Sequence, residues 1–176
     1  MTRIPHRVAI AVGSNMDDRF ELIESGVASL ASLGCLTVLA KSPVEETSAV
    51  GPAQASFLNQ MVLVDCSVSL ARLLSELQMV EDRHGRERTS VKGPRTLDLD
   101  IVWAQDVTIT TRELLVPHPG LLDRDFWQRE LSVLVGVAVA AEAIASARIH
   151  FGMDTGDDSV GRHEHRWTGG WDAIIS

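Results

Sequence analysis

From residue 95 the chain reads Arg-Thr-Leu-Asp-Leu-Asp-Ile-Val-Trp, and the alternation inside that run leaves few folds open. Successive strand side chains point to opposite faces, so a strand here is expected to place Leu97, Leu99, Ile101 and Trp103 on one side and Asp98 with Asp100 on the other. Residues two apart along a strand lie about 6.5 to 7 Å apart, close enough for both carboxylates to serve one pair of hard cations. Aspartate is disfavoured in strands, and a pair directly after Gly93-Pro94-Arg95-Thr96 is a poor choice if only solubility is wanted. The alternative is that the pair forms the wet outer face of a half-exposed antiparallel strand. Upstream, Arg83, Arg86, Arg88, Lys92 and Arg95 gather polyanion-binding groups beside the candidate cation site. Phosphoryl transfer needs that pairing.

Charge and length narrow the function further. The formal net charge is −8, which argues against nucleic acid or an anionic membrane as the main partner and makes the basic cluster a local device for a small anion. The 176 residues suffice for one domain with a proper core. Residues 1–150 are expected to form that domain, and 151–176 a loosely packed tail. Cys35 and Cys66 have no metal-ligand spacing and are too few for a disulfide scaffold, which suits reduced thiols. No apolar run reaches the roughly 18 residues of a membrane span. The first residues, Met1 to His6, lack a signal-peptide core, so the expected location is cytoplasmic.

Along the chain, Val8 to Val12 reads as a central strand ending in Gly13-Ser14-Asn15. Asp18 and Glu21 then have capping-box spacing before a helix with Phe20, Ile23, Val27 and Leu30 on one stripe. Gly13-Ser14-Asn15 is not a P-loop, because no Gly-Lys-Ser/Thr follows. Leu36 to Lys41 is a second strand, and Pro43 to Ser56 a long Gly/Pro-marked loop of the kind that binds ligands. Phe57 to Val64 is a third strand, with Phe57 and Asn59 on one face as an aromatic plate beside an amide. Ser69 starts a second helix with a Leu70, Leu73, Leu74, Leu77 stripe that Glu81 joins; a carboxylate there is expected to be partnered and to face the site. One or two strands are expected within 107–116, then the stiff Pro117-His118-Pro119, then a helix or helix pair across 131–149 packed on the sheet. His163-Glu164-His165 in the tail is weak metal spacing and reads as solvated.

The order strand, helix, strand, strand, helix, strand predicts an α+β fold. Its expected form is a ferredoxin-like βαββαβ antiparallel sheet with helices on one face, plus extra C-terminal strands and helices. Asp98 and Asp100 would then stand mid-sheet, on the face away from the first two helices.

Gly93-Pro94-Arg95-Thr96-Leu97-Asp98-Leu99-Asp100-Ile101 closely resembles the signature of the 6-hydroxymethyl-7,8-dihydropterin pyrophosphokinases of folate biosynthesis. Further matches are Val12-Gly13-Ser14-Asn15, Phe57-Leu58-Asn59, Glu81 with Gly85-Arg86, and Val116-Pro117-His118-Pro119 followed by Arg124 and Phe126. The resemblance implies transfer of pyrophosphate from ATP to the pterin hydroxymethyl group, release of AMP, and two magnesium ions. By position it implies that Asp98 and Asp100 hold both ions. It places Gln78, Glu81, Arg88, Arg95, Ile101, Leu115, His118 and Arg124 around ATP, with Arg86 and Arg95 stabilising charge during transfer. Thr47, Ser48, Val50, Asn59 and Asp98 would read the pterin, held between Phe57 and Phe126. Lys92, Thr89 and Glu113 depart from the family's usual residues. The substrates implied are small molecules, and the expected assembly is a monomer or weak homodimer. A nucleotidyl transferase or cyclase with the same two-metal site, and a non-catalytic ligand-binding module of the same fold, are the competing readings.

Overall fold

A computed structural model describes residues 6–49, 53–85 and 95–153. Arg86, Arg88, Val50, Lys92 and Thr89, and the tail from Asp154 onward, lie outside the described residues. The elements are β1 (His6–Ser14), α1 (Arg19–Ser32), β2 (Leu36–Lys41), β3 (Glu45–Thr47), β4 (Phe57–Cys66), α2 (Leu70–Arg83) and β5 (Asp98–Ala104). They are followed by β6 (Ile109–Thr110), β7 (Leu115–Val116), α3 (Gly120–Asp123), α4 (Asp125–Val135) and α5 (Val137–His150). The fold is a mixed α/β one whose main sheet runs β2-β4-β1-β5, and every pairing in it is antiparallel. β3 pairs with the start of β4, and β2 with its end, so the two short strands follow one another along one edge. Part of the expected 43–56 loop is therefore strand, which pairing with β4 imposes on a sequence of no strong β pattern.

β1 is apolar on both sides because it is covered on both sides. Val8, Ile10 and Val12 pack with Ile23, Val27 and Leu30 of α1 and with Leu73 and Leu77 of α2. Ala9 and Ala11 face the other way, into a second cluster with Met61, Leu63, Trp127, Leu131, Ala140 and Ala143. The first two helices thus share one face, and α4 with α5 cover part of the opposite one. Gly136, at φ +88°, separates the two C-terminal helices, a conformation that favours glycine.

Both N-caps fall where the sequence places them. The Asp18 carboxylate accepts the Glu21 N–H at 3.0 Å, and the Ser69 hydroxyl accepts that of Arg72 at 3.2 Å. Three expectations need correction. β5 closes one end of the order β2-β4-β1-β5 and pairs in that sheet with β1 alone among the described strands, so Asp98 and Asp100 stand on an edge strand and not mid-sheet, although on the expected face. Phe20 is 55% exposed, because it lies in the first turn of α1, beyond the reach of the sheet. Trp103 leaves the Leu97, Leu99, Ile101 face and joins the second cluster. The cause is a β-bulge: Ile10 pairs with Ile101 but Ala9 with Trp103, so Val102 is an extra residue that shifts the alternation by one.

Glu130 of α4 is only 4% exposed. Its Oε1 accepts from the Ser42 hydroxyl at 3.4 Å, and its Oε2 meets no partner among the described residues. Burial, helped by the charge of Glu45, pushes its carboxyl up to about 8 against the nearby Ser42 and Arg129, which pull the other way. The folded chain therefore keeps a proton that the unfolded chain has released above the ordinary value of 4.5. Stability contributed by this group is complete below the unfolded value and falls as pH rises through the window up to about 8, by at most about 1.4 kcal/mol per pH unit. Glu130→Gln, which needs no proton, is expected to flatten the fall of the urea midpoint between pH 5 and 8. Parallel pH profiles for the two proteins would refute this account.

Candidate active site

The antiparallel register sets the floor of the site. Gly13 of β1 lies opposite Asn59 of β4 on one side and Asp98 of β5 on the other, and Ala11 lies opposite Met61 and Asp100. Directly opposed residues share a face, so Asn59, Gly13 and Asp98 form one cross-strand row spanning about 10 Å. This is the face that α1 and α2 leave uncovered. Gly13 supplies room in the middle: a Cβ there would come within 3.3 Å of Asn59 Oδ1 and 3.8 Å of Phe57 Cδ1. The glycine reads in sequence as a turn residue; its place beside two candidate ligand groups emerges only from strand pairing.

At the β5 end, Arg95 Nη1 meets Asp98 Oδ2 at 2.6 Å, and Arg124 Nη1 lies 3.9 Å from Asp100 Oδ2. Both aspartates are half-buried. The Asp98 charge, with smaller contributions from Asp100 and Glu81, raises the Arg95 guanidinium above its usual value, so this cation is permanent. Glu81, 2% exposed, is partnered as its helical position implies: its Oε1 accepts the Leu99 N–H at 2.7 Å. That bond anchors α2 to the backbone between the two aspartates. Gln78 is half-buried one turn earlier on the same helix.

The Pro117-His118-Pro119 segment runs beside β5, where the His118 N–H donates to the Val102 carbonyl at 2.8 Å. Gly120 N donates to His118 Nδ1 at 3.0 Å, which puts the ring proton on Nε2. Burial lowers the His118 pKa, against the pull of Asp100, so the ring is neutral at pH 7. A Cβ on Gly120 would lie 2.9 Å from both His118 Nδ1 and Trp127 Cζ3, so glycine lets the imidazole stand edge-on to the indole at 5.1 Å. Arg124 lies over the same indole, 4.2 Å from its centroid. Trp127, absent from the sequence-based candidates, is the plate that sets both His118 and Arg124. Its half-buried neighbour Phe126 meets it edge-on.

At the β4 end, Asn59 Nδ2 donates to Thr47 Oγ1 at 2.8 Å, which leaves the rest of the amide edge to face the row. Phe57 is half-buried and Ser48 exposed. Leu115 is half-buried on β7, while the Ile101 side chain is packed among α1 and α2, so only its backbone faces the site side. Glu113 is exposed in the β6–β7 turn. The donor set at Asp98 and Asp100 suits magnesium, which takes one or two carboxylates and completes its shell with water and phosphate oxygens. Among the described residues no third acidic, histidine or cysteine ligand joins them.

Comparison with known proteins points the same way. A 41% identical stretch of 118 residues, 66% of this chain and 71% of the relative, matches the 2-amino-4-hydroxy-6-hydroxymethyldihydropteridine pyrophosphokinase of Bacillus subtilis. The protein of that name in Synechocystis is 31% identical over 121 residues, 69% of this chain and 62% of its own length. Folic acid synthesis protein fol1 of Schizosaccharomyces pombe is 37% identical over 126 residues, 71% of this chain, which spans only 17% of that much longer protein. Residues 9–135 match the family model described as 7,8-dihydro-6-hydroxymethylpterin-pyrophosphokinase, an interval that runs from within β1 to the end of α4 and includes the groups above, and the chain belongs to that family.

Proposed function

We propose that the chain transfers the terminal pyrophosphoryl group of ATP to the hydroxymethyl oxygen of 6-hydroxymethyl-7,8-dihydropterin, releasing AMP, as a step of folate biosynthesis. The observation that carries this reading is the row Asn59, Gly13, Asp98. It sets an amide able to read a heterocycle edge and a carboxylate able to hold a cation on one open sheet face, at a spacing that fits a bicyclic ring between them.

Asp98 and Asp100 would hold two Mg2+ ions, which when bound would acidify the hydroxyl and neutralise phosphate charge. The chain's own groups supply the rest. Arg95 and Arg124, with Arg86 and Arg88, bind phosphate oxygens, for which a planar guanidinium fork is suited. Neutral His118 donates from Nε2, and Gln78, Glu81, Ile101 and Leu115 complete the nucleotide side. Asn59, Thr47, Ser48 and Val50 read the pterin edge, and Phe57 with Phe126 stack on its faces. Catalysis is then positioning and charge stabilisation. The strand order, with α1 and α2 on one face, supports a ferredoxin-like unit completed by the C-terminal helices. Residues 1–150 make the catalytic domain, and 151–176 lie outside it. The protein works in the cytoplasm as a monomer or weak homodimer.

Incubation with ATP, Mg2+ and the hydroxymethyl-dihydropterin is expected to yield AMP and diphosphorylated pterin in equal amounts. Release of pyrophosphate would instead support a nucleotidyl transferase, and binding without turnover a non-catalytic module.

A further inference from the structure

Asn15, just past β1 and 4% exposed, has no part in the roles assigned above. Its Oδ1 accepts the Arg95 N–H at 2.7 Å, and its own N–H donates to the Arg95 carbonyl at 3.1 Å. On the other side its Nδ2 donates to Gln54 Oε1 at 2.9 Å and to the Ala55 carbonyl at 3.2 Å. The two partners come from opposite ends of the site. Arg95 carries the guanidinium paired with Asp98, and its backbone leads into β5. Gln54 and Ala55 lead through Ser56 into Phe57 and Asn59. Ser56 is itself gripped by Arg19, whose Nη1 donates to the Ser56 carbonyl and hydroxyl at 2.8 Å.

We propose that Asn15 is a positioning residue for the transfer: its carboxamide ties the backbone of Arg95 to the 54–55 segment and so sets the distance between the phosphate-side cation and the pterin-side wall. The chemistry requires an amide. Aspartate keeps the acceptor for Arg95 but loses both donors to the other side, serine is too short to span the gap, and leucine offers neither. A buried group bonded on both sides costs its full desolvation when one partner is lost, so the tie is stiff. Stiffness matters because a misplacement of about 1 Å between reacting groups costs on the order of 10²-fold in rate. This inference rests on the pyrophosphokinase reading.

The test compares Asn15→Ala, Asn15→Asp, Gln54→Ala and the double variant Asn15→Ala/Gln54→Ala, each normalised to its folded fraction by circular dichroism. Asn15→Ala is expected to lower kcat about 10- to 100-fold. Asn15→Asp is expected to raise KM for the pterin more than KM for ATP, because it frees only the 54–55 side. The effect of the double variant should fall short of the sum of the two single effects, since both changes cut the Asn15–Gln54 bond. A readout independent of turnover is the amide NMR spectrum with a magnesium-bound, non-hydrolysable ATP analogue: signals of residues 53–56 should shift in the parent and stay in place in Asn15→Ala. Variants with parental kcat and KM per folded molecule, or with effects that add in the double variant, would reduce Asn15 to a turn anchor and overturn the proposal. Should the parent chain release no AMP, the functional reading fails, and the NMR comparison alone then decides on the tie.

Discussion

Asp98→Ala and Asp100→Ala are each expected to lower the rate of AMP formation by about 10³-fold or more at saturating Mg2+, because under the proposed metal assignment each would remove an oxygen ligand worth several kcal/mol of charge stabilisation. Neither change should unfold the chain. Both side chains are half-buried on the open face of the sheet, outside the two apolar clusters, and removing one relieves repulsion from the other. The thermal midpoint is therefore expected to stay within a few degrees of the parent, with Asp98→Ala the lower of the two because it strips Arg95 of its 2.6 Å partner. Asp98→Asn separates charge from shape: it keeps an oxygen for Arg95 and loses the ionic ligand, so activity should remain lost while stability returns. Near-parental turnover in either alanine variant would remove the metal assignment, and with it the reason for the paired aspartates.

Arg95→Ala is expected to lower kcat by about 10² to 10³-fold, the range found when a preorganised group that meets developing charge is deleted. Arg95 is held from several sides: Asn15 fixes its backbone, Asp98 its side chain, and the charges of Asp98, Asp100 and Glu81 keep it protonated. A group so constrained would offer its cation to the proposed transfer without reorganising. Arg95→Lys should recover little, since an ammonium cannot meet Asp98 and a phosphate through one planar fork. The kinetic pattern discriminates: a change confined to KM for ATP would make Arg95 a ground-state binder with no part in charge stabilisation.

Elements were legible where local signals and burial agree. The Asp18 and Ser69 caps, the apolar run of β1 and the leucine stripe of α2 each state both their structure and their partner in a few residues. Glu81 was legible for the opposite reason, as a carboxylate on an apolar stripe that had to find a donor. What pairing decides was hidden. The bulge that turns Trp103 over comes from how β1 and β5 fit, and neither strand's own sequence announces an extra residue at Val102. β3 exists because β4 is long enough to accept a second partner beyond β2. At the site, the alternation of 97–101 fixed which face carries the carboxylates. Gly13, Asn15 and Trp127 become meaningful only once residues far apart in sequence are adjacent.

The bulge at Val102 divides β5 into two stretches with separate obligations. Upstream of it, Leu97, Leu99 and Ile101 are locked among α1 and α2, and hold the acidic pair at fixed height; downstream, Trp103 answers to the C-terminal helices. Length changes in the connection between Ala104 and Leu115 can therefore be taken up beyond the bulge, without sliding the carboxylates along β1.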